Sequence, residues 1–149
     1  IYRKKTISIG YNQNLELNKK KIYKSLDKKT SLVIISNPNS PTGTYIKIKE
    51  IEQILKKAKK FKIKVLLDEA YFGFSKKSAI SLIKKYNNLI ILRTFSKAYG
   101  LAGLRVGYAI SNTTNIKQLN NTKPMYEINS LGILAATILL QDKKISFIA

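Results

Sequence analysis

Residues 88–97 read NLIILRTFSK. Leu89 to Leu92 are an unbroken apolar run, and arginine, two hydroxyls and a lysine follow directly. The same design occurs twice upstream. SLVIISNPNSPTG, residues 31–43, and IKVLLDEAY, residues 63–71, each set a short apolar run before a polar cluster. Short, nearly continuous apolar runs are the pattern of strands buried on both faces of a parallel sheet. We therefore expect strands at Ser31–Ser36, Ile63–Leu67 and Asn88–Leu92. The long stretches between them leave room for helical crossovers, which place helices on the sheet faces. The expected fold is α/β, three-layered, with a mostly parallel sheet and helices on both faces.

The remaining elements fit around this frame. Lys47 to Phe61 spaces Ile48, Ile51, Ile54 or Leu55, Ala58 and Phe61 three or four apart, with lysines elsewhere and Glu52 four residues before Lys56, which predicts an amphipathic helix. Thr6–Ile9 reads as a short strand and Asn18–Leu26 as a Lys-rich helix. A short helix is expected near Ser78–Tyr86, a strand at Arg105–Ile110, and mainly helix from there to the end. The turn-forming residues of Asn37 to Gly43 end the first strand. The most apolar stretch, Leu131–Leu140, is too short for a membrane span, and the N-terminus lacks a signal-peptide pattern. The default reading is a soluble, cytoplasmic protein without a membrane partner.

Composition excludes several chemistries. The 149 residues contain no Cys and no His, so a thiol nucleophile, a disulfide framework, a Ser-His-Asp triad and a Cys or imidazole metal site are all ruled out. Proton transfer must use Lys, Asp, Glu or Tyr. The formal charge is +20, and every basic residue except Arg3, Arg93 and Arg105 is a lysine. A nucleic-acid binder more often relies on arginine interleaved with aromatics. Lysine pairs scattered along helix faces, in a chain rich in Lys, Ile and Asn, read instead as a solvated surface and a coding bias, with no nucleic-acid partner.

In open α/β sheets, ligands bind at the carboxyl ends of the strands. All three polar clusters fall on that edge and should share one crevice. It would hold an acidic pair, a phenol, an amide, small hydroxyls and a lysine. Lys97 sits past an apolar strand, between Ser96 and Ala98, where partial desolvation would favour a neutral, nucleophilic amine. Arg93 and Arg105 flank it in a chain that otherwise chooses Lys, which suggests that at least one makes a bidentate contact with a phosphate. Taken singly, NPNSPTG is also an ordinary turn and DEAY an ordinary strand end. Their joint occurrence, each after a buried strand, points to a site.

NPNSPTG at 37–43, DEAYFGF at 68–74 and LRTFSKAYGLAGLRVGY at 92–108 together resemble the large-domain core of fold-type-I pyridoxal-phosphate aminotransferases of classes I and II. Within that superfamily the pattern is most similar to histidinol-phosphate aminotransferases. The resemblance implies pyridoxal 5'-phosphate as cofactor, held on Lys97 as a Schiff base, with Lys97 then moving the substrate proton. It implies that Asp68 pairs with the pyridine nitrogen and that Tyr71 bonds the cofactor's 3-oxygen. Arg105, Thr94 and Ser96 would hold the phosphate. Relatives often have Asn directly before Pro-Thr-Gly. Here that place is Ser40, with Asn39 one position earlier, so either Ser40 takes the contact or a small shift brings in Asn39, and Asn39 is the preferred reading.

The resemblance further implies amino-acid and 2-oxo-acid substrates and a homodimer. A threonine-phosphate decarboxylase or the aminotransferase-like domain of a transcription regulator would share the same motifs. Such enzymes are at least about twice this length. Residues 1–149 are accordingly read as a partial cofactor-binding large domain, with an N-terminal segment and a small C-terminal domain lying outside it.

Overall fold

The computed structural model describes residues 5–75, 77–124 and 128–141. The elements are α1 (Lys19–Ser25), β1 (Leu32–Ser36), α2 (Ile48–Lys60), β2 (Lys64–Asp68), α3 (Phe72–Ser75), β3 (Leu89–Thr94), β4 (Gly107–Ile110), α4 (Thr113–Asn120) and α5 (Ser130–Gln141). Single 3-10 turns cover Ile80–Leu82 and Ala102–Leu104. The four strands form one sheet in the order β1-β2-β3-β4. β1, β2 and β3 are parallel, with Ser36 opposite Asp68 and Asp68 opposite Leu92. β4 returns antiparallel to β3.

The α2 pattern works as its spacing requires. Ile51, Ile54, Leu55 and Ala58 are buried and pack with Ile35, Val65, Leu67, Leu89 and Ile91 of the sheet and with Ile22 and Leu26 at α1. Glu50 begins the helix by accepting the Lys47 amide at 3.2 Å, while Lys57, Lys59 and Lys60 lie at the end where the helix dipole favours cations. A smaller cluster of Phe95, Val106 and Ala136 lies under α5. Most of α5's apolar surface, including Leu131 and Leu140, is exposed.

The parallel α/β expectation holds, with four local corrections. Thr6–Ile9 is not a strand, because the chain makes only an isolated bridge later, between Tyr11 and Leu17. Ser78–Tyr86 contains one 3-10 turn in place of a helix. Arg105 lies outside β4, in a left-handed conformation with φ 54° that ends the 3-10 turn. β1 is buried on one side only. Ile35 is covered, but Ile34, which points to the opposite face of the sheet, is 67% exposed. The part of the C-terminal helical expectation beyond Gln141 lies outside the described residues.

Candidate active site at the carboxyl edge of the sheet

The backbone pairing continues past the strand ends and ties the three polar clusters together. The Asn37 amide donates to the Asp68 carbonyl at 2.8 Å, and the Glu69 amide donates to the Leu92 carbonyl at 2.9 Å. The crevice expected from strand order is therefore a continuous edge.

The first cluster is shaped by Asn37, which is 2% exposed. Its Oδ1 accepts from the Ile46 amide at 2.7 Å and its Nδ2 donates to the Ile46 carbonyl at 3.2 Å. One side chain thus substitutes for a strand partner and closes the loop from 37 to 46. Gly43 supplies the left-handed turn, φ +68°, and donates to the Asn39 carbonyl at 2.8 Å. The closed loop presents Ser40 outward. Its hydroxyl donates to the Tyr71 hydroxyl at 3.3 Å. Asn39 turns its amide inward instead, donating to Thr42 Oγ1 at 2.7 Å. Of the two candidates for this position, Ser40 is the one brought to Tyr71.

The second cluster holds Asp68 at the tip of the central strand, half-buried. Its Oδ1 accepts the Ala70 amide at 2.9 Å, which fixes the turn leading to Tyr71. In the third cluster the Lys97 ammonium lies 5.3 Å from the centroid of the Tyr71 ring. The Ser40 hydrogen bond, and then Lys97, hold the Tyr71 phenol below its ordinary range, because both favour the phenolate. Pro38, Asn39, Ser40, Pro41, Gly43, Tyr71, Phe74 and Ser75 line a cleft of about 320 Å³ beside this pair.

Lys97 is exposed, contrary to the enclosure expected from its place after an apolar strand. The turn that carries it lies beyond the last residue of β3, and no described residue covers it. Thr94 Oγ1 donates to the Val106 carbonyl at 3.2 Å and accepts the Ser96 amide at 3.1 Å, so Thr94 and Ser96 are joined. Arg105 is not hydrogen-bonded to either one. Its exposed guanidinium donates to the Ala102 carbonyl at 3.1 Å.

The sequence reading missed a buried ion pair behind the site. Glu69, 1% exposed, accepts from Arg93 Nε at 3.1 Å and Nη2 at 2.9 Å. It also accepts from the Ser78 hydroxyl and, at 2.8 Å, from the Ala79 amide. The signal was present in part. An arginine in a lysine-rich chain marks a site that needs several donors from one planar group, but for Arg93 the partner is a carboxylate of the protein itself, and both nitrogens converge on its Oε2. Among the described residues no group of three or more acidic residues forms a metal-binding cluster, and no helix is long and apolar enough to cross a membrane.

The fold is that of the large domain of pyridoxal-phosphate-dependent transferases, with a lysine, a carboxylate and a phenol gathered at the carboxyl edge of its sheet. More narrowly, the chain belongs to the class I and II aminotransferases, whose family model matches residues 2–147. It is 48% identical to histidinol-phosphate aminotransferase 2 of Haemophilus influenzae (strain 86-028NP) over 122 residues, which is 79% of this chain and 33% of that protein. The crystal structure of the histidinol-phosphate aminotransferase from Clostridium acetobutylicum superposes with a TM-score of 0.86 at 28% identity, over 94% of this chain and 43% of that one. The L-threonine-O-3-phosphate decarboxylase from Porphyromonas gingivalis superposes with a TM-score of 0.66 at 30% identity, over 74% of this chain and 34% of that one. The chain thus spans about a third of the length of the curated relatives it matches.

Proposed function

We propose that this chain carries part of the active site of a pyridoxal-phosphate-dependent aminotransferase that moves an amino group between an amino acid and a 2-oxo acid. The observation that supports this most directly is the meeting of Lys97, Tyr71 and Ser40 beside the Asp68 turn. It gathers an amine, a phenol and a carboxylate without any thiol or imidazole. When bound, pyridoxal phosphate supplies the electron sink that this residue set lacks. The donor set fits it, and the individual roles are those that the resemblance to the family implies.

Lys97 Nζ is the amine on which the cofactor is held and the base that moves the substrate α-proton. Asp68 is the carboxylate that keeps the ring nitrogen protonated. Tyr71, with Ser40 behind it, donates to the ring oxygen, and Asn39 shapes the loop that presents Ser40. Ser96 offers its hydroxyl to the phosphate, and Thr94, whose hydroxyl donates to the Val106 carbonyl and accepts the Ser96 amide, holds Ser96 in place. Arg105 swings from the Ala102 carbonyl to supply the charge.

The names of the relatives favour a phosphorylated substrate of the histidinol-phosphate type. The likeness to the decarboxylase from P. gingivalis supports a second reading, loss of carbon dioxide from a phosphorylated amino acid on the same residues. We read residues 1–149 as part of the large domain of a homodimeric cytoplasmic enzyme.

The test is borohydride reduction of the full-length protein loaded with pyridoxal phosphate, followed by peptide mapping. The expected adduct is on Lys97; an adduct on another lysine, or none, refutes the site. Product assay then separates the two reactions, a 2-oxo acid against carbon dioxide.

A further inference from the structure

Tyr71 and Lys97 each lie three residues beyond a strand, β2 ending at Asp68 and β3 at Thr94. Ladder bonds therefore position neither of them. Beyond the Glu69 amide bond to the Leu92 carbonyl and the approach of Lys97 to the Tyr71 ring, two further contacts join their segments, one on each side of Tyr71 in the chain.

The first is the Glu69 and Arg93 pair. Arg93 also donates to Ser78 Oγ at 2.7 Å, and its guanidinium lies 3.5 Å from the centroid of the Phe72 ring. The residues before and after Tyr71 in the Glu69 to Phe72 turn are thus tied to β3 by one planar group. Lysine could not make both contacts. The second is a close approach of Gly73 to Ala98. A Cβ at position 73 would lie 2.2 Å from Ala98 Cβ and 3.7 Å from its Cα. Ala98 Cβ is fixed to the backbone, so only movement of α3 or of the Lys97 turn could relieve such a collision. Neither Glu69 nor Gly73 lines the cleft.

We propose that Gly73 and the Glu69–Arg93 pair are positioning residues that together form a two-point clamp setting the Tyr71 phenol against the Lys97 amine. This rests on the reading of Lys97 and Tyr71 as cofactor residues. The clamp acts on the protonation of the group that Lys97 carries, because the phenol is the polar neighbour whose distance the clamp controls.

The experiment uses the full-length protein loaded with pyridoxal phosphate and records the pH midpoint of its visible absorption beside its thermal unfolding. Gly73→Ala is expected to move the midpoint by about one pH unit, the order of effect of a displaced polar neighbour. Gly73→Ala combined with Ala98→Gly reopens the space and is expected to restore it. Glu69→Gln removes the charge at nearly constant size and is expected to move the midpoint too, and Arg93→Lys is expected to behave like Glu69→Gln. Midpoints unchanged in Gly73→Ala and Glu69→Gln, with only the unfolding temperature lowered, would overturn the proposal and leave the contacts structural. A midpoint still displaced in the double variant overturns the role of Gly73. If Gly73→Ala does not fold, Glu69→Gln and Arg93→Lys decide the matter. Wild-type protein with no visible band, or reduced on another lysine, is a separate outcome that overturns the functional reading and the clamp with it.

Discussion

Ser40 and Tyr71, 31 residues apart in the chain, meet hydroxyl to hydroxyl at 3.3 Å, with Ser40 donating. The contact joins the loop after β1 to the turn after β2 and leaves the Tyr71 proton available to a third group. It also lowers the phenol's pKa, with Lys97 adding to the effect.

Ser40→Ala should therefore raise the Tyr71 pKa towards the ordinary tyrosine value, since it removes the larger cause of the depression. The measurement is tyrosinate absorbance against pH, taken as the difference from Tyr71→Phe. Asn39→Ala should move the titration less, because that side chain reaches Tyr71 only through the loop that carries Ser40. A larger response to the Asn39 change than to the Ser40 change would reassign the contact.

Asp68→Ala should lower transamination by the full-length enzyme on the order of 100-fold or more, the scale of removing one preorganised electrostatic partner. The far-ultraviolet circular dichroism should not change, because Asp68 is half-buried at a strand tip and its one described side-chain bond is to the Ala70 amide. A normal rate in this variant would contradict its role.

Asn37→Ala should destabilise the protein by roughly 1–3 kcal/mol, the cost of leaving buried polar groups unpaired, because the Ile46 amide and carbonyl lose their partner together. Denaturant unfolding measures this. The Tyr71 titration should move as well, since the loop carrying Ser40 is no longer closed. An unchanged midpoint of unfolding would show that the loop holds without the asparagine.

The acid side of the stability profile should carry a small contribution from Glu50. Its hydrogen bond and ion pair with Lys19 lower its pKa from 4.5. A carboxylate depressed by folding stabilises the protein above its unfolded-state pKa, and that benefit disappears as pH falls through the folded-state value. Glu50→Gln should therefore narrow the difference from wild type as pH drops below about 4.5, measured as urea midpoints across the acid range. A difference that grows on acidification would reverse the assigned sign.

How far the sequence could be read depended on the range of the interaction. NPNSPTG, DEAY and RTFSK were placed together from pattern alone, because parallel strands must expose their carboxyl ends on one edge. α2 was equally direct, since helical spacing makes one face apolar. The failures at Thr6–Ile9 and Ser78–Tyr86 have the opposite cause. Their local pattern suited a strand or helix, but neither segment gains the partner or the length that would stabilise it. β4 illustrates a middle case, where a strand was expected but its antiparallel direction depended on how residues 97–106 fold back.

The residue types of the site and its placement on an α/β sheet edge thus came from local chemistry: apolar runs, turn residues, and the absence of His and Cys. Tertiary packing decided the rest. It brought the Ser40 hydroxyl to Tyr71 and turned the Asn39 amide to Thr42. It paired Arg93 with Glu69, leaving Arg105 as the exposed one of the two arginines that flank Lys97. It also set Gly73 against Ala98, where only a hydrogen fits. Each choice depends on side chains from separate strands meeting in space, and no pattern of neighbours along the chain carries that distance.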